Sequence, residues 1–148
     1  MRILIAGASG SIGRPLVRRL KANQHEIFAL TRAPDPARLK EIGAEPLIAD
    51  ALDSVAVKAA VGRIRPDAVI NELTSLPRHY TPAEVKAAAE RDHKVRVEGN
   101  INLLAVLREQ ACAATYCKVP DSGTRPARRT RSTDTMRRLL STYWRAPL

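Results

Sequence analysis

The chain has 148 residues, 45% of them hydrophobic, with 25 Lys and Arg against 15 Asp and Glu and a formal charge of +10. That length suits one domain able to bury roughly two thirds of its unfolded surface. No apolar run reaches the length of a membrane span or the core of a signal peptide, so the expected compartment is the cytosol.

A charge of +10 suggests nucleic acid until its distribution is considered. Residues 113–148 hold eight Lys and Arg and two acids, so six of the ten excess charges lie there. The other 112 residues carry 17 basic and 13 acidic side chains, an ordinary balance for a domain with an anionic ligand. Nucleic acid is therefore not the expected partner. Cys112 and Cys117 have no second Cys or His pair at zinc-ligand spacing and read as reduced thiols, with no metal site expected.

In chain order, the apolar run Ile3-Leu4-Ile5-Ala6 predicts a strand from Arg2 to Ala6. It leads straight into Gly7-Ala8-Ser9-Gly10-Ser11-Ile12-Gly13. Glycines let a turn reach left-handed dihedrals and approach a phosphate closely, and a following helix turns its free N–H groups toward the anion. Ile12, Leu16, Val17 and Leu20 recur at helical spacing, which predicts that helix from Ser11 to Ala22. Pro15 falls in its first turn, where no intrahelical bond is lost.

A strand Glu26–Leu30 follows, then a short helix opened by Asp35-Pro36 and ending near Gly43. Pro46–Ala49 reads as a third strand, Ser54–Ile64 as a helix and Ala68–Ile70 as a fourth strand. Such β-α alternation implies an α/β fold of the Rossmann type: a doubly wound parallel sheet, strand order 3-2-1-4, with helices on both faces. From Pro82 to Ala111 the pattern is helical in two pieces, the second burying Val97, Ile101, Leu104 and Leu107. Gly99 interrupts that stripe and signals a close helix-to-sheet approach. Thr115–Val119 can supply a fifth strand.

Gly7-x-x-Gly10-x-x-Gly13 at the N-terminus resembles the turn of the extended and atypical short-chain dehydrogenase/reductases, including the NAD-dependent epimerase/dehydratase group. Val97-Glu98-Gly99-Asn100-Ile101-Asn102-Leu103-Leu104 is similar to the V-x-G-T-x-N-L-L segment of the same family, with Asn100 in place of Thr. The resemblance covers residues 1–112 and implies an NAD(P)-binding domain of an oxidoreductase or epimerase-like protein.

In a doubly wound fold the pyrophosphate belongs on the first turn, here Gly7, Ser9, Gly10, Ser11, Ile12 and Gly13. The residue closing the second strand meets the adenosine ribose, where an acid suits NAD and an Arg suits the 2′-phosphate of NADP. This chain places Arg32 there, with Arg14 as a second positive charge, so NADP(H) is the expected cofactor and NAD the alternative. A solvated loop Arg is the plain alternative for Arg32, and Asp35 serves NAD or caps a helix. The resemblance puts Asp50 against the adenine amino group with Ala51 beside it; in the other reading Asp50 or Asp53 caps the next helix. It also runs Asn71–Ser75 past the nicotinamide ribose.

Hydride-transferring members of the family use a Tyr-x-x-x-Lys pair, in which Lys lowers the phenol pKa. Here Tyr80, Tyr116 and Tyr143 are followed four residues on by Glu84, Pro120 and Pro147, so no catalytic residue is assigned. The second function class left open is a non-catalytic NADP(H)-binding regulatory protein. His25, His79 and His93 are scattered and form no constellation.

The expected organisation is a dinucleotide-binding domain over 1–112 and a basic tail over 113–148. That tail has no Ile, Phe or Glu, nine Ser and Thr, and Arg clusters at 128–131 and 137–138, the composition of a disordered segment. Translation out of frame from about Ala113 would give the same mixture and leave a truncated sheet, with an exposed edge at the fourth strand and a tendency to self-associate.

Overall fold

The computed structural model describes residues 1–32, 37–77 and 79–110, together with the backbone of 114–117. The elements run β1 Arg2–Ala6, α1 Gly13–Ala22, β2 Glu26–Thr31, α2 Ala37–Glu41, β3 Ala44–Ile48, α3 Ser54–Ile64, β4 Ala68–Asn71, α4 Pro82–Glu109 and β5 Ala114–Cys117. The strands pair in parallel in the order β3-β2-β1-β4-β5, the Rossmann arrangement expected from the alternation.

Side chains alternate across the central strand because successive Cβ atoms point to opposite faces. Leu4 and Ala6 join Phe28, Leu30, Val69 and the α3 and α4 residues Val57, Val61, Leu103 and Val106 in one core layer. Ile3 and Ile5 join Ile27, Ala29, Ile70 and the α1 and α2 residues Leu16, Val17, Leu20 and Leu39 in the other. Burial on both faces explains why β1 reads as a continuous apolar run rather than an alternating one.

The register brings Ala6 opposite both Leu30 and Asn71, so β1, β2 and β4 end at one level. Connections from β1 lead to β2 on one side and, through later elements, to β4 on the other. The chain reverses its winding there, the switch point at the carboxyl ends of the strands.

Several boundaries differ from the sequence expectation, each for a local reason. Helix α1 begins at Gly13 and not Ser11; Ile12 sits at its N-cap and is 45% exposed, so it does not join the buried face. Strand β3 starts two residues before Pro46, which lies opposite Ala29 in an edge strand, where a missing N–H costs little. The Asp35-Pro36 helix start lies outside the described residues.

Helix α4 is one helix of 28 residues, not two. Thr81 Oγ1 accepts from the Glu84 amide at 3.3 Å and donates to the Glu84 carboxylate at 2.7 Å, a side-chain N-cap followed by Pro82 in the first turn. Its buried line is Ala88, Val95, Gly99, Leu103, Val106 and Leu107. The expected stripe is displaced: Val97 is 38% exposed and Ile101 59%. Both faces have apolar residues at helical spacing, and Gly99 decides between them because a Cβ there would touch Leu73 Cδ1 at 3.2 Å and Ala51 Cβ at 3.3 Å.

Strand β5 pairs Ala68 with Ala114 through Asn71 with Cys117. The edge of β4 is thus covered, contrary to the exposed edge expected of a truncated sheet; Lys118 and Val119, expected to end β5, lie outside the described residues. None of the described helices is long and apolar enough to cross a membrane.

Helix α3 starts where the sequence predicts, and Asp53 explains it: one carboxylate oxygen accepts from the amides of Val55 and Ala56, both at 3.0 Å. Asp53→Ala should therefore lower unfolding stability by about 1 kcal/mol, read by chemical denaturation, whereas Asp53→Ser should recover most of the loss.

Candidate functional site

At the carboxyl ends of the strands lies an open cleft of about 390 Å³. Gly7 and Ser9 line it from the first turn, Leu30, Thr31 and Arg32 from the end of β2, Ala49, Asp50 and Ala51 from beyond β3, Leu73 and Thr74 from beyond β4, and Val95 from α4.

The first turn is defined by contacts that tolerate no side chain. Gly7 has φ of +90°, and a Cβ on it would collide with the Glu72 carbonyl. A Cβ on Gly13 would collide with the Gly7 carbonyl and lie 2.6 Å from Ala8 Cα. Gly7 and Gly13 thus hold β1, the end of β4 and the start of α1 in mutual contact. Gly10 differs: a Cβ there would meet only the Gly7 carbonyl oxygen, at 3.2 Å, and otherwise open space. The Gly10 amide donates to that same oxygen at 3.0 Å and closes the turn.

Arg14, expected as a second cation, turns back instead. Its Nε donates to the Ser9 carbonyl at 2.8 Å, and it does not line the cleft. Gly10, Ser11, Ile12 and Gly13 form the turn and the first residue of α1 beside the cleft rather than its lining. The Arg14 amide donates to the Gly10 carbonyl at 3.1 Å and the Leu16 amide to the Ile12 carbonyl at 3.3 Å, and Pro15 has no N–H, so it is the Ser11–Gly13 amides leading into α1 that suit an anion at this end.

Arg32 and Asp50 both line the cleft and face each other, Nη1 to Oδ2 at 3.8 Å, with side chains 61% and 43% exposed. Asp50 does not cap α3, the role that Asp53 fills. Its Oδ1 accepts from the Leu52 amide at 3.0 Å, an Asx turn that fixes the carboxylate while leaving Oδ2 toward Arg32. Asp35, the other acid considered for the ribose, lies outside the described residues.

Helix α4 builds the floor, and the residues of its Val97–Leu104 segment show how. Gly99 lets the helix approach Ala51 and Leu73, Asn102 Nδ2 donates to the Ala51 carbonyl at 2.9 Å, and Asn100 Oδ1 accepts from Asn71 Nδ2 at 3.1 Å. Asn71 is 6% exposed, and its Oδ1 accepts from the Leu73 amide at 3.0 Å, so this buried amide is paired on both sides. Further along, Asp92 accepts from the Ser75 amide and from Arg96 Nε, both at 2.6 Å, and Arg91 Nε donates to Ser75 Oγ at 2.7 Å. The segment carrying Leu73 and Thr74 past the cleft is thereby tied to α4 at both ends.

Val95 and the Asp92–Arg96 tie are absent from the sequence expectation. Val95 stands four residues before Gly99 on the same helical face, a signal that the wrongly chosen stripe concealed. His79 and His93 are exposed, and His25 lies away from the cleft at the α1–β2 turn, where partial burial and then the N-terminal ammonium hold its pKa below the ordinary imidazole value. No group of three or more His, Cys, Asp or Glu among the described residues could hold a metal ion.

Fold and cleft together define an α/β domain of the Rossmann type. The chain belongs to the NAD-dependent epimerase/dehydratase family, whose model matches residues 3–146. That match runs past residue 112, so the family likeness extends further than the sequence motifs reach. A 3-diazoavenalumate denitrifying reductase of a Streptomyces species is 41% identical over 113 residues, covering 73% of this chain and 34% of that protein. UDP-glucose 4-epimerase of Stenotrophomonas maltophila, solved with NAD and formylated UDP-arabinopyranose, superposes with a TM-score of 0.65 at 19% identity over 78% of this chain and 35% of its own. The NAD complex of UDP-glucose 4-epimerase from Thermus thermophilus gives 0.59 at 25% identity, covering 86% and 43%. The chain thus spans about a third of the length of the reductase and of the first of these epimerases.

The glycine contacts separate folding from binding. Gly13→Ala should cost about 2 kcal/mol or more, because backbone must move to admit the Cβ. Gly10→Ala should melt within a few degrees of the parent yet bind dinucleotide at least about tenfold more weakly, since its methyl would stand where a phosphate approaches. Thermal melts and cofactor titration of the two variants check both halves.

Proposed function

We propose that this domain binds NADP(H) in the cleft, as the cofactor-binding part of a reductase or epimerase-like enzyme. The reading puts the 2′-phosphate on Arg32, the adenine beside Asp50 and Ala51, and the pyrophosphate on the Gly7–Gly13 turn. The nicotinamide ribose then runs along Asn71–Ser75. The observation that carries it is the convergence of Gly7, Ser9, Arg32, Asp50, Ala51 and Leu73 on one cleft at the switch point of the sheet.

The chemistry of the lining fits such a group. Gly10 leaves backbone open to a phosphate, and the fixed carboxylate of Asp50 can accept from an exocyclic amine. Leu30, Ala49 and Leu73 offer apolar surface to a flat ring. When bound, the nicotinamide supplies a hydride donor or acceptor; this chain's residues bind and orient it.

The epimerases solved from Thermus and Stenotrophomonas carry NAD. What turns the reading here toward NADP is Arg32, whose planar fork of donors matches a phosphate monoester. The regulatory alternative rests on a missing Tyr-x-x-x-Lys pair, and in a chain about a third the length of its relatives that absence has no weight.

Calorimetric titration should show tighter binding of NADPH than of NADH, and Arg32→Ala should reduce the NADPH advantage by about tenfold or more, the value of one charged hydrogen bond. Equal affinities for the two cofactors in the parent would contradict the assignment.

A further inference from the structure

The pairing of Arg32 with Asp50 has a consequence for cofactor choice that rests on the proposed role of Arg32. The two groups come from the ends of neighbouring strands, β2 and β3, and face each other across the cleft at 3.8 Å. They are not equally free to move. Asp50 is held by its bond to the Leu52 amide at 3.0 Å, whereas Arg32 is the more exposed of the two and has a long, flexible side chain. The carboxylate is thus a fixed negative charge beside the cation that a 2′-phosphate needs.

We propose that Asp50 sets the cofactor preference by competing with the 2′-phosphate for Arg32. A ribose that carries only hydroxyls leaves the pair intact. A 2′-phosphate must draw the guanidinium from Asp50 or share it. Arg32 therefore favours NADP(H), Asp50 moderates that preference, and NAD(H) remains an acceptable ligand. The effect is modest, because a pair this exposed is screened by water and salt.

Asp50→Asn tests this cleanly. An Asn side chain keeps the oxygen that accepts from Leu52, so the turn survives, and only the charge is lost. Any contact from this residue to adenine is common to both cofactors and cancels in the ratio of their affinities. Asp50→Ser, which also retains a turn acceptor, serves as the second variant should the Asn protein fold poorly.

In calorimetric titrations at low salt, Asp50→Asn should raise the NADPH-to-NADH affinity ratio about two- to fivefold over the parent. In the Arg32→Ala background the same change should leave the ratio flat, as a double-mutant cycle requires of a coupled pair. A ratio unchanged in both Asp50→Asn and Asp50→Ser, with Arg32→Ala still lowering it, overturns the competition while sparing the role of Arg32. An equal rise with and without Arg32 also overturns it, because the carboxylate would then act on the phosphate directly. If Arg32→Ala leaves the ratio untouched, the role of Arg32 fails and the competition fails with it.

Discussion

The contact of three backbone segments at Gly7 and Gly13 organises the rest of this domain. A Cβ on Gly7 would enter the Glu72 carbonyl and one on Gly13 would enter the Gly7 carbonyl, so the end of β1, the start of α1 and the exit of β4 meet with no side chain between them. Interiors are packed as closely as organic crystals, so such a contact cannot be loosened by a fraction of an ångström without cost. The close approach sets where α1 begins, which in turn sets where the Ser11–Gly13 amides that lead into it lie. The position of this helix end follows from packing, and the third glycine, Gly10, is left to face open space.

A second clamp works from below. Helix α4 meets the loops beyond β3 and β4 through Gly99, Asn100 and Asn102, and Asp92 with Arg91 secures Ser75 further out. The polar members are not cavity-lining groups, yet they determine where Ala51, Leu73 and Thr74 stand. The cleft has two rigid walls, one made by glycines and one by amide side chains. Between them lies the exposed Arg32–Asp50 pair, whose guanidinium end is the freer partner.

Much of this was legible in the residues. The β1 run, the glycine turn and the β-α alternation give the sheet order, since each reports a local rule: burial on both faces, positive φ or close approach, and right-handed crossover. Arg32 and Asp50 were legible because their positions follow from strand ends. The α4 face was not, because Val97 and Ile101 have the same helical spacing as Val95, Gly99 and Leu103, and only the neighbours Ala51 and Leu73 distinguish the two lines. The direction of Arg14 was not legible either: its spacing places it near the turn, and in the fold its Nε donates to the Ser9 carbonyl. Side-chain direction on an exposed first turn depends on the acceptor within reach, which spacing does not encode.

In the proposed reading one dinucleotide occupies the crevice bounded by these two walls. The most direct measurement is the change in backbone amide chemical shifts of the labelled protein as NADPH is added. The account predicts that the largest shifts fall on residues 7–14, 30–32, 49–52 and 72–75, with the α4 residues around Ala83–Ala89 unmoved. Large shifts confined to α4 or to the basic segment after residue 117, with the glycine turn silent, would contradict it.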